Sequence, residues 1–212
     1  MNVVFFDMDG VIVNSEVEYM KRLKKFLNTE GLFLNVEQYQ KLIGSNRKQS
    51  KALYNKWFGA SFSYDDFIAK LDNYYSIHPI DYTGIVNHGL YQLLEKLRIR
   101  GCKMSLVSSS NPIEIINVVN ELNIKKYFDF LISGDQFEES KPNPAIYNYA
   151  KTKYAYENCN FFVIEDSPYG IEAAKHAGLT VIALKDRYFG MDQSMANYIV
   201  DNLLDVLDIV KE

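Results

Sequence analysis

Apolar residues along this chain follow two alternating rhythms. Short unbroken runs rich in β-branched and aromatic residues occur at Val3-Val4-Phe5-Phe6, Met104 to Val107, Phe130 to Ile132, Phe161 to Ile164 and Val181 to Ala183. Such runs predict strands buried on both faces. Between them the spacing lengthens to three and four, as in Leu90, Leu93, Leu94 and Leu97. The same helical spacing predicts helices from Pro112 to Leu122, Pro144 to about Lys153, Pro168 to Ala177 and, last, near Leu203 to Val210. Pro112, Pro144 and Pro168 suit the first helical turn, where a missing N–H costs nothing, and Gly178 suits a helix stop. Regular alternation of this kind predicts an α/β fold, a parallel sheet covered by helices on both faces.

One long stretch breaks the alternation. Val17, Met20, Leu23 and Leu27 recur at helical spacing with Lys21, Lys24 and Lys25 between them, so an amphipathic helix begins near Ser15. From there to about Tyr82 the text stays helical and aromatic, with Tyr39, Tyr54, Trp57, Phe58, Phe62, Phe67, Tyr74 and Tyr75. The chain is therefore divided into a core domain of residues 1–13 and 83–212 and an inserted helical domain of residues 14–82. Flat aromatic faces can bind sugar rings, but a cluster at this spacing is assigned to packing.

Composition removes several classes of function. The 212 residues carry a net charge of −4 with lysines and arginines scattered, which argues against a nucleic-acid partner. Cys102 and Cys159 each precede a strand-like run and read as reduced, buried thiols rather than a disulfide or zinc site. The opening residues show no basic stretch or cleavage site, and no apolar run reaches membrane-spanning length, so a cytoplasmic protein without a membrane partner is expected. It is expected to act as a monomer. His78, His88 and His176 neither cluster at ligand spacing nor border a candidate serine nucleophile.

Candidate chemistry gathers at strand ends. The first apolar run delivers Asp7 and Asp9 into a turn at Gly10. Two apart on an extended backbone, both acids face one cavity while Met8 turns into apolar surroundings. One can attack while the other trades protons; an ordinary Asp-Gly turn is the alternative. Ser108, followed by Ser109 and Ser110, offers a hydroxyl and helix-start N–H groups to phosphate oxygens, or merely a helix cap. Lys141, in Ser140-Lys141-Pro142-Asn143-Pro144, is either an ammonium aimed by stiff prolines or an exposed lysine. Glu165 and Asp166 suit a hard cation such as Mg²⁺, or cap the helix at Pro168. Each group stands at the carboxyl edge of a predicted parallel strand, where open α/β sheets collect their ligands.

In that order, Asp7-Met8-Asp9-Gly10-Val11, the Ser108 end of Leu106-Val107-Ser108, Lys141-Pro142, and Glu165-Asp166-Ser167 followed by Gly170-Ile171 resemble the motifs of the haloacid dehalogenase superfamily. The resemblance lies in its branch of sugar-phosphate phosphatases and beta-phosphoglucomutases and spans nearly the whole chain. It implies a Rossmann-like doubly wound parallel sheet core with an inserted α-helical cap domain that governs substrate choice. It implies Asp7 as nucleophile on a phosphate monoester and Asp9 as the acid and base, with Ser108, Ser109 and Lys141 on the phosphate oxygens. Mg²⁺ would be the cofactor, held by Asp7, the Asp9 carbonyl and Asp166 with help from Glu165. Within Leu42-Ile43-Gly44-Ser45-Asn46-Arg47, Arg47 stands where mutase-like members hold the substrate's second phosphate; a solvated helical arginine is the other reading.

The implied substrate is a small phosphorylated metabolite, such as a sugar phosphate. Tyr19, Ile43 and Asn14 depart from the mutase pattern, and a looser cap favours water as acceptor. A phosphatase is therefore expected, with beta-phosphoglucomutase as the alternative. Carbon–halogen chemistry does not call for a second aspartate, so Asp9 argues against a dehalogenase.

Overall fold

Strands bury both faces only if helices cover both sides of their sheet, and here they do. In the computed structural model, which describes residues 1–43, 45, 47–59, 61–154 and 158–211, all strands belong to one sheet. They are β1 (Asn2–Phe6), β2 (Lys103–Ser108), β3 (Phe130–Ser133), β4 (Asn160–Glu165), β5 (Thr180–Leu184) and β6 (Tyr198–Val200). Their order is β3-β2-β1-β4-β5-β6, and each neighbouring pair is parallel. The helices, in chain order, are α1 (Ser15–Thr29), α2 (Val36–Leu42), α3 (Arg47–Phe58), α4 (Tyr64–Ile77), α5 (Leu90–Ile99), α6 (Pro112–Glu121), α7 (Ala145–Thr152), α8 (Pro168–His176) and α9 (Val206–Ile209).

The pleat of β1 sorts the core into two layers. Val4 and Phe6 pack with Leu106, Ile164 and Ile182 against the leucines of α5 and against Val118 and Val119 of α6. Val3 and Phe5 pack with Val163 and Val181 against Tyr147 of α7 and Ile171 of α8. From β1 the chain winds outward through β2 and β3, then returns to β4 and winds the other way through β5 and β6. The reversal between β1 and β4 is the switch point at which such sheets open a crevice at their carboxyl edge.

Two compact units are present: Met1–Ser15 with Tyr82–Glu212, and Glu16–Asp81. The first boundary falls two residues later and the second one residue earlier than the sequence suggested. Asn14 donates its N–H to the Ile85 carbonyl at 2.8 Å, and Val13 bridges Val86, which ties this segment to the sheet unit. In the helical unit, Leu23, Phe26 and Leu27 of α1 bury one stripe against Tyr39, Tyr54, Tyr64, Phe67 and Leu71. Trp57, Phe58, Phe62, Tyr74 and Tyr75 pack around that cluster, so the aromatic residues are core.

Some local expectations are corrected. β6 was not foreseen, because it is a three-residue edge strand with Tyr198 and Ile199 exposed and Val200 alone buried. The predicted final helix is a 3₁₀ turn at Leu203–Asp205 followed by the short α9. Pro112 and Pro168 do open their helices, but Pro144 is the residue before α7. Cys102 is buried as expected, whereas Cys159 is only half-buried; both are free thiols. No helix among the described residues is long and apolar enough to cross a membrane.

Candidate active site

The site begins where β1 runs out. Asp7 continues the ladder by one bond, its N–H donating to the Ile164 carbonyl of β4 at 3.0 Å, so its carboxylate enters the crevice on a fixed backbone. Gly10, at φ +78°, turns the chain, and the Val13 and Ile12 N–H groups close the loop on the Met8 carbonyl. The Asn87 amide clamps the same loop from outside, donating to the Gly10 and Val11 carbonyls at 2.8 and 2.9 Å. Met8 is fully buried in the core, as the alternation of side chains predicts.

The ends of β2 and β4 and the loop that follows β3 close around Asp7. Lys141 is 6% exposed, and its Nζ lies 2.7 Å from both Asp7 Oδ1 and Glu165 Oε1, with the Val107 carbonyl at 3.4 Å. Glu165 is fully buried at the end of β4. Its Oε1 also accepts the Tyr147 hydroxyl at 2.7 Å, and the Lys141 ammonium sits 5.0 Å from the centre of the Tyr147 ring. Glu165 Oε2 accepts from the Asp166 N–H, the Ser167 N–H and the Ser167 hydroxyl at 3.1 to 3.3 Å. Glycine makes this geometry possible. A Cβ at Gly170 would lie 1.8 Å from Glu165 Oε1, and one at Gly10 would lie 1.9 Å from Asp166 Oδ2.

Asp7, Glu165 and Asp166 each bring a carboxylate oxygen within 4.8 Å of the others. Burial raises the Asp7 pKa to about 8, with Glu165 and Asp9 adding to the rise and Lys141 opposing it. Burial would lower the Lys141 pKa, but Asp7 and Glu165 outweigh it and hold the ammonium well above its ordinary value. Tyr147 is pushed well above its usual range by burial and then by Glu165, so it stays a donor. Three close carboxylates against one ammonium form a set of hard oxygen donors short of positive charge, which fits a divalent cation such as Mg²⁺. Glu165 contributes least to that fit, because five donors already occupy its two oxygens.

Asp9 has different surroundings. It is only partly buried. The Ser15 hydroxyl donates to its Oδ1 and the Ser110 hydroxyl to its Oδ2, the latter at 2.7 Å. Ser108 is buried at the end of β2, and its Oγ accepts the Ser110 N–H at 3.0 Å. Ser109 is exposed beside it, with Gly134 so close that a Cβ there would lie 2.9 Å from the Ser109 Cα.

The sheet unit thus gathers Asp7, Asp9, Ser108, Ser109, Lys141, Glu165 and Asp166 along one sheet edge. Arg47 belongs to the helical unit. It opens α3 with its side chain 74% exposed, 3.5 Å from Asp72, and lines a groove of about 530 Å³ with Lys51, Tyr64 and Ile68. Gly44 and Asn46 of its sequence segment lie outside the described residues. Sequence reasoning gave no role to the Ser15 and Ser110 hydroxyls on Asp9 or to the Tyr147 hydroxyl on Glu165. A tyrosine on the buried stripe of a helix beside Lys141 was the one available signal for the latter.

Comparison with known proteins places the chain in a family. The pattern described as Haloacid dehalogenase-like hydrolase matches residues 4–184. A phosphorylated carbohydrates phosphatase of Thermotoga maritima is 25% identical over 92% of this chain and 87% of its own. A phosphoglycolate phosphatase of Aquifex aeolicus is 30% identical over 87% of this chain and 85% of its own. Among solved structures, a beta-phosphoglucomutase of Clostridium difficile superposes with a TM-score of 0.77 at 25% identity, covering 97% of this chain and 92% of that one.

Proposed function

Because the chain belongs to the haloacid dehalogenase-like hydrolase family, we propose that it is a Mg²⁺-dependent phosphatase of small phosphorylated metabolites, sugar phosphates above all, working through an aspartyl-phosphate. The observation that carries this reading is the pair of unequal carboxylates on one turn. Asp7 is buried against an ammonium, and Asp9 is partly exposed between two hydroxyls. Two acids in unlike environments can divide nucleophile and proton carrier between them, and a cation held beside Asp7 would offset the burial that otherwise keeps its carboxyl protonated.

In this reading one Asp7 oxygen attacks phosphorus while the other stays on Lys141. Asp9 gives its proton to the departing alcohol oxygen, then takes one from the water that opens the aspartyl-phosphate. Lys141, the Ser108 hydroxyl and the N–H groups around Ser109 meet the oxygens of the transferring group. Asp7, Asp166 and the Asp9 carbonyl would hold Mg²⁺, which when bound offsets the charge of phosphate and nucleophile. Glu165 acts from behind as the second counter-charge of Lys141. Residues 1–13 and 83–212 serve as catalytic core and residues 14–82 as a cap whose Arg47 meets the far end of the substrate. The protein works as a monomer and in the cytoplasm, the latter in keeping with its free thiols.

The names of the two phosphatase relatives support the substrate class. The test is incubation with Mg²⁺ and a panel of sugar phosphates and phosphoglycolate, following free phosphate. A parallel tube holds beta-glucose 1-phosphate with a trace of 1,6-bisphosphate. Phosphate release that stops with EDTA and returns with Mg²⁺ is expected. Glucose 6-phosphate without free phosphate would make the enzyme a mutase instead.

A further inference from the structure

Gln193 lies in the loop between β5 and β6, which contributes nothing to the chemistry described above. It is nevertheless 6% exposed, and its side-chain hydrogen bonds all go to backbone. Its Nε2 donates to the Asp166 carbonyl at 2.6 Å and to the Leu184 carbonyl at 2.8 Å, while its Oε1 accepts the Asp186 N–H at 3.0 Å. A glutamine is ordinarily left in water, so one buried across two strand ends has a specific task.

We propose that Gln193 is a positioning residue that fixes the backbone of Asp166 and so aims its carboxylate at the cation site. The inference rests on the Mg²⁺ reading above. The peptide joining Asp166 to Ser167 is held at both ends, its carbonyl by Gln193 and its N–H by Glu165 Oε2 at 3.3 Å. A shift of that peptide carries the Asp166 Cα with it, and so moves the carboxylate seated directly over Gly10. Freed from Gln193, the carboxylate keeps its charge but loses its direction, and outer groups that orient a metal ligand typically govern affinity by 10- to 100-fold.

The loop's own shape has a separate origin. The Asp186 carboxylate accepts the N–H groups of Tyr188, Phe189 and Met191, which winds the loop. Building the loop and fastening it to Asp166 can therefore be separated by mutation.

The experiment is calorimetric titration of the full-length protein with Mg²⁺, alongside kcat at saturating Mg²⁺, for wild type, Gln193→Met and Asp186→Asn. Methionine fills the glutamine's space without its hydrogen bonds. Gln193→Met is expected to weaken Mg²⁺ binding about 10- to 100-fold while kcat at saturation stays within about 3-fold. Asp186→Asn is expected to bind Mg²⁺ like wild type. If Gln193→Met is too unstable to purify, Gln193→Asn, too short to span both carbonyls, carries the same expectation. Equal affinity in wild type and Gln193→Met overturns the inference alone, as does an Asp186→Asn variant that loses as much affinity while keeping wild-type stability in urea. A wild-type protein that takes up no Mg²⁺ overturns the metal reading and this inference with it.

Discussion

The two units treat buried charge in opposite ways. Among the described residues, Arg22 is the helical unit's one buried charged side chain, whereas the sheet unit buries Asp7, Lys141, Glu165 and Asp166 within one crevice. Arg22 is used for structure. Its guanidinium donates to the Tyr75 and His78 carbonyls at the end of α4 and stacks 4.2 Å from the centre of the Tyr75 ring. The sheet unit's charges instead face one another, an arrangement that costs several kcal/mol of desolvation per ion before their attraction is counted. A unit stabilised by its aromatic core has no need of such a cluster. The difference locates function: chemistry lies where burial is unfavourable and the backbone enforces it anyway.

Replacing Asp7, the proposed nucleophile, breaks the comparison most severely. Asp7→Asn keeps the shape and removes the carboxylate proposed to attack phosphorus, so turnover should fall by at least about 10⁴-fold with the fold intact by circular dichroism. The same variant reads out the burial of Asp7 in metal-free protein. The folded state holds the proton up to about pH 8, while the unfolded chain releases it near the ordinary aspartate value of 3.8. Between those values the unfolded state binds fewer protons, so stability falls as pH rises across that window. Urea titrations at pH 5 and pH 8 should show that loss in wild type and a smaller one in Asp7→Asn; equal slopes would contradict it.

Lys141→Met comes next. It strands Asp7 and Glu165 without their shared cation, which should cost about 3–5 kcal/mol of stability. Removing the ammonium also takes away the influence that opposes the rise of the Asp7 pKa, so less nucleophile is ionised at neutral pH. A drop in kcat of about 10²- to 10³-fold is expected from the lost charge on the transferring oxygens.

Much of this was legible in the sequence, for a physical reason. Strands buried on both faces must be written as continuous apolar runs, so an acid that ends one, as Asp7 and Glu165 do, stands out against its neighbours. Parallel winding then brings all such ends to one edge, which allowed residues more than a hundred positions apart to be grouped. What stayed hidden depends on side-chain direction. Nothing in the text of Asp186 to Asn197 tells that Gln193 folds inward rather than into water. Nor does Glu165 announce that it faces Lys141 and Tyr147 instead of offering both oxygens to a metal. β6 escaped because an edge strand with two exposed residues leaves no apolar run to read.

The helical unit should fail through packing rather than charge. Phe67 packs edge-on to Phe26 and tilted against Tyr54 and Phe62, with ring centres 4.9 to 5.4 Å apart. Phe67→Ala should cost about 3–5 kcal/mol in urea unfolding. Protein that remains folded should keep the Mg²⁺ affinity of wild type, since Phe67 belongs to the core of the helical unit.

The smallest effect should come from Arg22→Met, the same type of change as Lys141→Met in the other unit. Removing Arg22 leaves two neutral carbonyls short of a donor, at roughly 1–2 kcal/mol. Against that stands the relief of no longer burying a cation whose Nε has no hydrogen-bond partner among the described residues. The long apolar stem that covers Tyr75 is kept by methionine. The net change should therefore be within about 1 kcal/mol, read from the urea midpoint, against several for Lys141→Met. A loss at Arg22 as large as that at Lys141 would mean that the helical unit also depends on its buried charge, and the division between a packed unit and a charged one would not hold.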